Sequence, residues 1–213
     1  MKRLAIYGAG GHGRVVCESA VRTGLYEIIG FIDDSVLPAT EIDGHKVIGD
    51  LSALQDRNGK GIVIAIGIGS IGIRRRTVQQ ITDSGYEIEA VVDPTATVSM
   101  TARVGAGAYI AAGATINSQA SLGTATIVNT GAIIEHDCRI GDFAEVAPRA
   151  VLGGQVFVGS GAFVGMGAVV RQQQQVGSGS VLGAGAVLVS DLPDNALAYG
   201  VPARLIEKAD NGD

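Results

Sequence analysis

The sequence contains no tryptophan and few other aromatic residues. Aromatic residues make up 4% of the 213 residues, although apolar residues as a whole make up 46%. A conventional globular core contains more rings, because aromatic side chains bury large areas. The composition therefore excludes a ring-rich core and predicts packing by small and aliphatic side chains, in a chain that also contains 32 glycines.

Cysteine is scarce and long apolar runs are missing. Cys17 and Cys138 are the only cysteines, too few for a disulfide framework. The longest apolar run, residues 62–66, has the length of a strand and not of a membrane helix. The apolar stretch at residues 4–7 is too short for a signal peptide. We therefore expect a soluble, cytoplasmic protein without membrane insertion.

Basic residues are outnumbered by acidic ones. The chain has 16 Lys and Arg against 21 Asp and Glu, a formal net charge of −5. A nucleic-acid groove needs a clustered basic face, so we expect no nucleic-acid partner. The one basic run, Arg74-Arg75-Arg76, is interpreted as a solvated helix face.

An aliphatic residue recurs at every sixth position over the second half of the chain. The positions are Val98, Val104, Ile110, Ile116, Leu122, Val128, Ile134, Ile140, Val146, Leu152, Val158, Val164, Val170, Val176, Leu182 and Leu188. A period of six is neither helical nor a plain strand alternation. It is typical of a repeat architecture.

A column of small residues accompanies the aliphatic column. Four residues after each aliphatic stands mainly alanine, with Thr126, Cys138 and Ser180 as other small residues and Val156 and Gln174 as departures. Short strands with one inward aliphatic and a small corner residue can close a triangular coil of 18 residues. Successive coils then pair in parallel about 4.8 Å apart. We therefore predict a parallel β-helix of about five coils.

Glycine often directly follows the aliphatic residue, as at Gly105, Gly141 and Gly153. We expect these glycines to supply the unusual backbone angles that tight corners require.

The first ninety residues alternate strand and helix patterns. The expected strands cover 4–7, 27–32 and 62–66, and the expected helices cover 14–23 and 74–84. Asp93-Pro94 marks a plausible domain boundary. The predicted division is an α/β domain at 1–92, the β-helix at 93–193 and a C-terminal tail at 194–213.

A glycine-rich loop follows the first strand. Gly8, Gly10 and Gly13 satisfy G-x-G-x-x-G between a strand and a helix, and Asp33-Asp34 ends the second strand. Such a loop brings a phosphate to backbone N–H groups at a helix N-terminus, and the acidic pair can accept hydrogen bonds from ribose or base.

Three interpretations of this loop remain open: NAD binding, a purely structural turn, and a nucleotide that is part of the substrate. Ninety residues supply half a doubly wound sheet, and no dehydrogenase domain follows. The sequence therefore favours a substrate nucleotide.

The predicted β-helix contains a single histidine, His136, flanked by Glu135 and Asp137. It lies two places after the inward Ile134, so we expect it to face outward near a corner. A flanking carboxylate can hold one imidazole tautomer. Gly154 stands 18 residues later, one coil above. A base and a free N–H about 5 Å apart suit acyl transfer.

The order of these motifs carries a family resemblance over nearly the whole chain. G-A-G-G-H-G, then Asp33-Asp34, then N-T-x-x-x-x-E-H-D-C, then Gly200-Val201-Pro202-Ala203 resembles the bacterial nucleotide-sugar N-acetyltransferases that act on UDP-4-amino sugars. The resemblance implies a left-handed helix, against the usual right-handed crossover rule. It also implies a homotrimer with acetyl-CoA as co-substrate and no metal.

The resemblance further implies roles for individual residues. His136 is then the general base, Asp137 tunes it, and the Gly154 N–H stabilises the thioester oxyanion. The expected nucleotide-sugar residues are Gly10, Gly11, His12, Asp33, Asp34 and Gly67. The expected acetyl-CoA residues are Glu145, Met166 and Ala184.

Two positions depart from the family pattern. Glu145 stands where the family has a second histidine, and residues 68–72 form a longer turn than usual. Rival functions are a sugar O-acetyltransferase and a non-catalytic nucleotide-sugar-binding β-helix. A zinc carbonic anhydrase on the same helix is set aside, because one histidine cannot supply three ligands.

Overall fold

The computed structural model describes residues 1–57 and 61–206. An α/β unit is followed by a three-sided prism of short parallel strands. In this described part of the chain, no helix has both the length and the apolar character needed to cross a bilayer.

The α/β unit is a six-stranded sheet with one helix following β1 and another following β5. Its elements are β1 (Lys2–Tyr7), α1 (Gly11–Thr23), β2 (Tyr26–Ile32), β3 (Glu41–Ile42), β4 (His45–Gly49), a 3-10 helix (Leu51–Arg57), β5 (Ile62–Ile66), α2 (Ile71–Asp83) and β6 (Glu87–Ile88). The strand order is β3-β4-β2-β1-β5-β6, parallel except for the β3–β4 pair. All five residues of β5 are buried, as its unbroken apolar run predicts.

Both helices begin three residues earlier than predicted. Gly10 is the N-cap of α1, so Gly11, His12 and Gly13 form its first turn. Ser70 is the N-cap of α2. The glycines at these starts obscure the pattern, because glycine is a poor helix former that the first turn nevertheless tolerates.

The prism consists of strands of two or three residues, nearly all six residues apart. They are β7 (Val91–Val92), β8 (Thr97–Val98), β9 (Arg103–Val104), β10 (Tyr109–Ile110), β11 (Thr115–Ile116), β12 (Ser121–Leu122), β13 (Ile127–Val128), β14 (Ile133–Ile134), β15 (Arg139–Ile140), β16 (Glu145–Val146), β17 (Val151–Leu152), β18 (Phe157–Val158), β19 (Phe163–Val164), β20 (Val169–Val170), β21 (Gln175–Val176), β22 (Val181–Leu182), β23 (Val187–Leu188), β24 (Leu197–Tyr199) and β25 (Arg204–Leu205).

These strands form three faces, and each strand pairs with the strand 18 residues away. The first face contains β7, β10, β13, β16, β19, β22 and β24, with β25 antiparallel at its end. The second face contains β8, β11, β14, β17, β20 and β23, and the third contains β9, β12, β15, β18 and β21. Repeat pairing therefore starts one strand before Val98, at β7, and continues past Leu188 to β24.

The predicted aliphatic column is the core of the prism. From Ile110 to Leu188 every one of these residues is at most 5% exposed, and Val98 and Val104 in the first coil are partly buried. Small residues fill the corners, so the prism has no room for rings, as the composition predicted.

The corner glycines act differently from the expectation. Positive φ angles occur three residues after each aliphatic, as at Gly107, Asp137 and Gln155, and not at the glycines that directly follow it. A Cβ on Gly153 would lie 2.6 Å from the backbone nitrogen of Gln172 in the next coil. These glycines are therefore required by close coil stacking and not by their backbone angles.

The α/β unit packs on the first face of the prism. Tyr109, Ala111 and Ile127 of that face share an apolar cluster with β1, α1 and β5. Asp93, at the end of β7, accepts hydrogen bonds from Ser19 and Arg22 of α1.

A buried arginine ties α2 to the same side of the prism. Arg74 is 1% exposed and donates to the carbonyls of Ala125, Phe143, Ile68 and Gly69. The prediction that the basic run is a solvated helix face is therefore wrong for Arg74. Four carbonyl acceptors offset the cost of burying its charge.

Candidate active site

A pocket of about 380 Å³ opens at the carboxyl ends of β1, β2 and β5. It lies where the strand order reverses around β1, the usual ligand position in an open α/β sheet. All six residues predicted for the nucleotide sugar line it: Gly10, Gly11, His12, Asp33, Asp34 and Gly67. The structure therefore brings the whole predicted set together.

The floor of this pocket is closely packed backbone. A Cβ on Gly13 would lie 1.9 Å from the Gly8 carbonyl oxygen, and one on Gly8 would lie 2.7 Å from that of Gly67. Gly10 and Gly11 have open space around their Cα atoms. The motif thus combines glycines that allow packing with glycines that leave room for a ligand at the start of α1.

The two adjacent aspartates of the pocket differ in function. Asp33 accepts hydrogen bonds from the N–H groups of Ala9 and Ser35 at 2.8 and 2.9 Å, and from the Ser35 hydroxyl at 2.7 Å. Although burial opposes ionisation, these hydrogen bonds lower the pKa of Asp33. Asp33 therefore fixes the glycine loop. Asp34 accepts only the Tyr7 hydroxyl, at 3.0 Å from both carboxylate oxygens, and keeps lone pairs for a ligand.

His12 contains an unsatisfied polar atom. Its Nε2 is buried without a hydrogen-bond partner in the described structure, and its ring meets Tyr109 edge-on at 5.4 Å. Burial, followed by the charge of Arg74, lowers the pKa of His12 to about 4. The imidazole is therefore neutral near pH 7, and a ligand in the pocket is the natural partner for Nε2.

Several lining residues of the pocket were missed from the sequence. Tyr7, Ser35, Ile68, Ile73 and Thr77 complete the pocket wall. Tyr7 and Ser35 flank the predicted loops, so the rule for carboxyl ends of strands indicates them. Ile73 and Thr77 lie on one side of α2, which reaches the pocket only through the packing of the helix.

His136 lies in the turn between β14 and β15, at the corner of the second and third faces. We call this column of turns the histidine corner; it contains residues 135–138 and 153–156. The His136 side chain is 58% exposed, as predicted, and its Nδ1 lies 2.8 Å from Asp137 Oδ2. When Nδ1 carries the proton, it donates to Asp137, and Nε2 is left as the basic nitrogen.

Gly154 lies against the imidazole, one coil above. Strands β14 and β17 pair Ile134 with Leu152, which sets His136 beside Gly154. A Cβ on Gly154 would lie 2.6 Å from Nε2 and 2.7 Å from Cε1 of His136. No described residue accepts a hydrogen bond from the Gly154 N–H. A base and an available N–H therefore meet as the 18-residue period predicts.

A groove of about 580 Å³ runs along the third face from this corner. Asp137 and Gln155 line its corner side, and Arg139, Phe157 and Gln175 line the face. The sequence analysis did not single out these face residues. Each directly precedes an inward aliphatic at 18-residue spacing, so the same arithmetic that paired His136 with Gly154 indicates them.

The three residues predicted for acetyl-CoA lie elsewhere on the prism. Glu145 is half-buried on the first face, where burial raises its pKa and the charge of Arg74 opposes that rise. Met166 and Ala184 are exposed and stacked at the corner between the first and second faces. One chain therefore does not bring these residues to His136.

The nucleotide pocket is also remote from His136 within the chain. The α/β unit packs on the first face, and the histidine corner is the corner opposite that face. No residue of the pocket wall lies on the histidine corner. No group of three or more His, Cys, Asp or Glu in the described ranges is arranged to hold a metal ion.

Comparison with known proteins gives consistent matches. A family model described as the PglD N-terminal domain matches residues 3–81. No curated sequence matches the chain at a significant level.

Several solved structures match nearly the whole chain. A histidine-to-alanine variant of GDP-perosamine N-acetyltransferase from Caulobacter crescentus, solved with CoA and GDP-perosamine, is 35% identical with a TM-score of 0.90, over 96% of this chain and 97% of that one. The acetyltransferase domain of PglB from Neisseria gonorrhoeae, solved with acetyl coenzyme A, is also 35% identical with a TM-score of 0.90, over 96% and 99%.

WeeI from Acinetobacter baumannii AYE, 24% identical with a TM-score of 0.85 over 95% of this chain and 99% of that one, shares the fold. These overlaps confirm the predicted fold class, a small α/β domain followed by a left-handed β-helix. With two relatives at 35% identity over almost their full lengths, the chain belongs to the nucleotide-sugar N-acetyltransferases of the hexapeptide-repeat family.

Proposed function

We propose that this protein transfers an acetyl group from acetyl-CoA to the C4 amine of a nucleotide-linked amino-deoxy sugar, with His136 as general base. The observation that carries the proposal is the histidine corner, where an imidazole held by Asp137 lies against the free N–H of Gly154. Because acetyl-CoA and nucleotide sugars are cytoplasmic metabolites, we place the reaction in the cytoplasm.

The reaction is a direct attack without a covalent enzyme intermediate. The neutral sugar amine adds to the thioester carbonyl, and His136 Nε2 accepts the amine proton as the bond forms. Asp137 stabilises the imidazolium through Nδ1. The Gly154 N–H donates to the oxyanion, and removal of one such donor typically costs about 100- to 1000-fold in turnover. The imidazolium then returns the proton to the departing thiolate.

The pocket of the α/β unit holds the nucleotide. The start of α1 supplies N–H groups for the diphosphate, Asp34 accepts from ribose or base donors, and the unpartnered Nε2 of His12 meets a polar group of the ligand. The family resemblance favours UDP as the nucleotide. The relative from Caulobacter crescentus was solved with GDP-perosamine, which makes the base a question for a substrate panel.

A homotrimer with composite sites reconciles the two halves. The pocket and the histidine corner lie on opposite sides of one prism, whereas in a closed ring the corner of one copy faces the first face of the next. Met166, 59% exposed, and Ala184 then line acetyl-CoA beside the His136 of a neighbouring copy. Glu145 stands on the same face.

Thiol release from acetyl-CoA tests the general base. With a 4-amino sugar nucleotide as acceptor, we expect His136→Ala to lose at least about 100-fold in kcat, within the range for general-base catalysis. His45→Ala, a histidine of the sheet edge, is the matched control and retains full activity. Retention of most activity by His136→Ala refutes the assignment.

An acceptor panel resolves the substrate. UDP-, dTDP- and GDP-linked 4-amino sugars are compared with the corresponding 4-hydroxy sugars. Release of thiol with amines alone supports N-acetylation, and a preference for hydroxyl acceptors establishes the O-acetyltransferase instead. No release with any sugar indicates a binding protein.

Subunit mixing tests the composite site. His136→Ala and Asp34→Ala are each expected to be inactive alone. Randomly assorted in one closed ring, they regain about a quarter of the wild-type sites, because an intact corner then meets an intact pocket. Failure to regain activity in proven mixed oligomers excludes a site shared between copies.

A further inference from the structure

The turns of the prism share one hydrogen bond that fails at the histidine corner. In most turns the small residue donates its N–H to the carbonyl three residues earlier, as Ala120 does to Asn117 and Ala150 to Ala147. Within the described residues, Val156 makes no such bond to Gly153. The Gly153 carbonyl therefore lacks the partner that fixes the same peptide in other coils.

The thiol of Cys138 takes that place from the coil below. Its Sγ donates to the Gly153 carbonyl oxygen at 3.2 Å, and the N–H groups of Val156 and Gln155 donate toward Sγ. The side chain is 0% exposed. Burial raises the pKa of the Cys138 thiol to about 11, so the thiol keeps its proton and remains a donor.

The acceptor belongs to the peptide that presents the oxyanion donor. The Gly153 carbonyl and the Gly154 N–H are the two ends of one planar trans peptide and point in opposite directions. A hydrogen bond to the carbonyl end polarises the amide and strengthens its N–H as a donor, by about 10–30% in condensed-phase estimates. It also fixes the plane of a Gly-Gly peptide, which has no side chain to orient it.

We propose that Cys138 is a positioning residue that orients and polarises the Gly153–Gly154 peptide, so that the Gly154 N–H binds the oxyanion more strongly. This role rests on the proposed function of His136 and Gly154. The thiol itself does not touch substrate and undergoes no chemistry.

The chain offers matched variants for a test. Cys138→Ala places at this position the residue that Ala120 provides one coil below, so the core tolerates it. Cys138→Ser keeps a donor, and Ser180 shows that serine fits the same hexad position and donates to a carbonyl, that of Gly177. Thr126→Ala removes a comparable side-chain bond, to the Gly123 carbonyl at 3.2 Å, away from the histidine corner.

We expect Cys138→Ala to lower kcat about two- to tenfold, with KM for both substrates within about twofold. Cys138→Ser restores most of the loss, and Thr126→Ala leaves kcat unchanged. The carbonyl stretch of bound [1-¹³C]acetyl-CoA gives an independent signature. Its infrared band moves to higher wavenumber in Cys138→Ala, returns toward the wild-type position in Cys138→Ser and stays in place in Thr126→Ala.

Unchanged kcat and band position in Cys138→Ala overturn the proposal, as does a loss that serine does not restore in a folded variant. A similar loss in Thr126→Ala overturns it too, because the effect is then general to the prism. The activity of the wild-type protein and its dependence on His136 test the proposed function separately.

Discussion

Gly154 is the residue whose side-chain absence the site requires most directly. A Cβ there would lie 2.6 Å from His136 Nε2, closer than real Cβ contacts allow. We expect Gly154→Ala to swing the exposed imidazole away from Asp137 and to reduce turnover at least about 100-fold, since general-base catalysis supplies that much. Steady-state kinetics measure the loss.

The stability of the same variant gives the contrast. Because the His136 side chain is 58% exposed, it moves into solvent at little cost, and we expect the urea midpoint to change little. Gly72→Ala, where a Cβ on α2 meets open space, is the matched control with unchanged activity. A Gly154→Ala protein with near wild-type turnover would show that the imidazole position is not limiting.

At the residue scale, local rules predicted positions better than partners. The 18-residue period set Gly154 beside His136, because every coil obeys the same arithmetic. The rule for strand ends gathered Asp33 and Asp34 at one pocket. It did not separate their tasks, since the bonds of Asp33 to Ala9 and Ser35 depend on how the loops fold together. The link from Cys138 to the Gly153 carbonyl leaves no mark in the sequence, because any residue has a carbonyl.

At the scale of elements, the prism was predictable and α2 was not. Each hexad repeats the same local requirement, so the inner column from Val98 to Leu188 can be followed without knowledge of the fold. Arg74 has the opposite character, because its partners Ala125 and Phe143 lie 51 and 69 residues away along the chain. The sequence shows three arginines in a row, and only tertiary packing selects the buried one.

Arg74 joins α2, the edge of the nucleotide pocket and two coils of the prism. Replacement by methionine keeps the volume but leaves the carbonyls of Ile68, Gly69, Ala125 and Phe143 without a donor. We expect Arg74→Met to lower the free energy of unfolding by about 3 kcal/mol, since each buried unsatisfied acceptor costs about 1–3 kcal/mol. Urea unfolding measures this loss, and KM for the nucleotide sugar rises because Ile68 and Gly69 line the pocket.

Arg76 provides the comparison on the same helix. It is exposed, and Arg76→Met should change stability by no more than about 0.5 kcal/mol. Arg74→Lys, which keeps one cation but fewer donors, should fall between Arg74→Met and the wild type. Equal stability of the two methionine variants would mean that the carbonyl contacts of Arg74 contribute nothing.

At the scale of the whole molecule, the position of the α/β unit decides how the site is built. The sequence predicted both halves of the site but not their separation. That separation depends on which of three similar faces receives the α/β unit. The choice is made by contacts such as Ser19 with Asp93 and His12 with Tyr109, which join distant segments. A repeat pattern makes the three faces look alike and therefore hides this choice.

Asp93 is the charged anchor of that contact. Its side chain is fully buried and accepts from Ser19 at 2.7 Å, from Arg22, and from the N–H and hydroxyl of Thr95 at 2.9 and 2.6 Å. Burial opposes its ionisation, but these hydrogen bonds lower the pKa of Asp93 to about 2. A carboxyl with a lowered folded-state pKa stabilises the fold above its unfolded pKa and loses that contribution as pH falls through the folded value.

The window for Asp93 therefore lies between about pH 4 and pH 2, and its contribution is about 2 kcal/mol. Other acids titrate there too, so the informative quantity is the difference in urea unfolding free energy between wild type and Asp93→Asn at fixed protein concentration. We expect a difference that is constant above pH 5 and shrinks by about 2 kcal/mol toward pH 2, where Asp93 is neutral in both states.

Glu87→Gln, an exposed carboxyl on β6, should show no such convergence. Asp93→Asn should also expose the joint between α1 and the prism to protease at neutral pH, because an amide cannot pair with the Arg22 charge. A wild-type advantage that stayed the same from pH 6 to pH 2 would mean that the docking of the two units does not depend on the Asp93 charge.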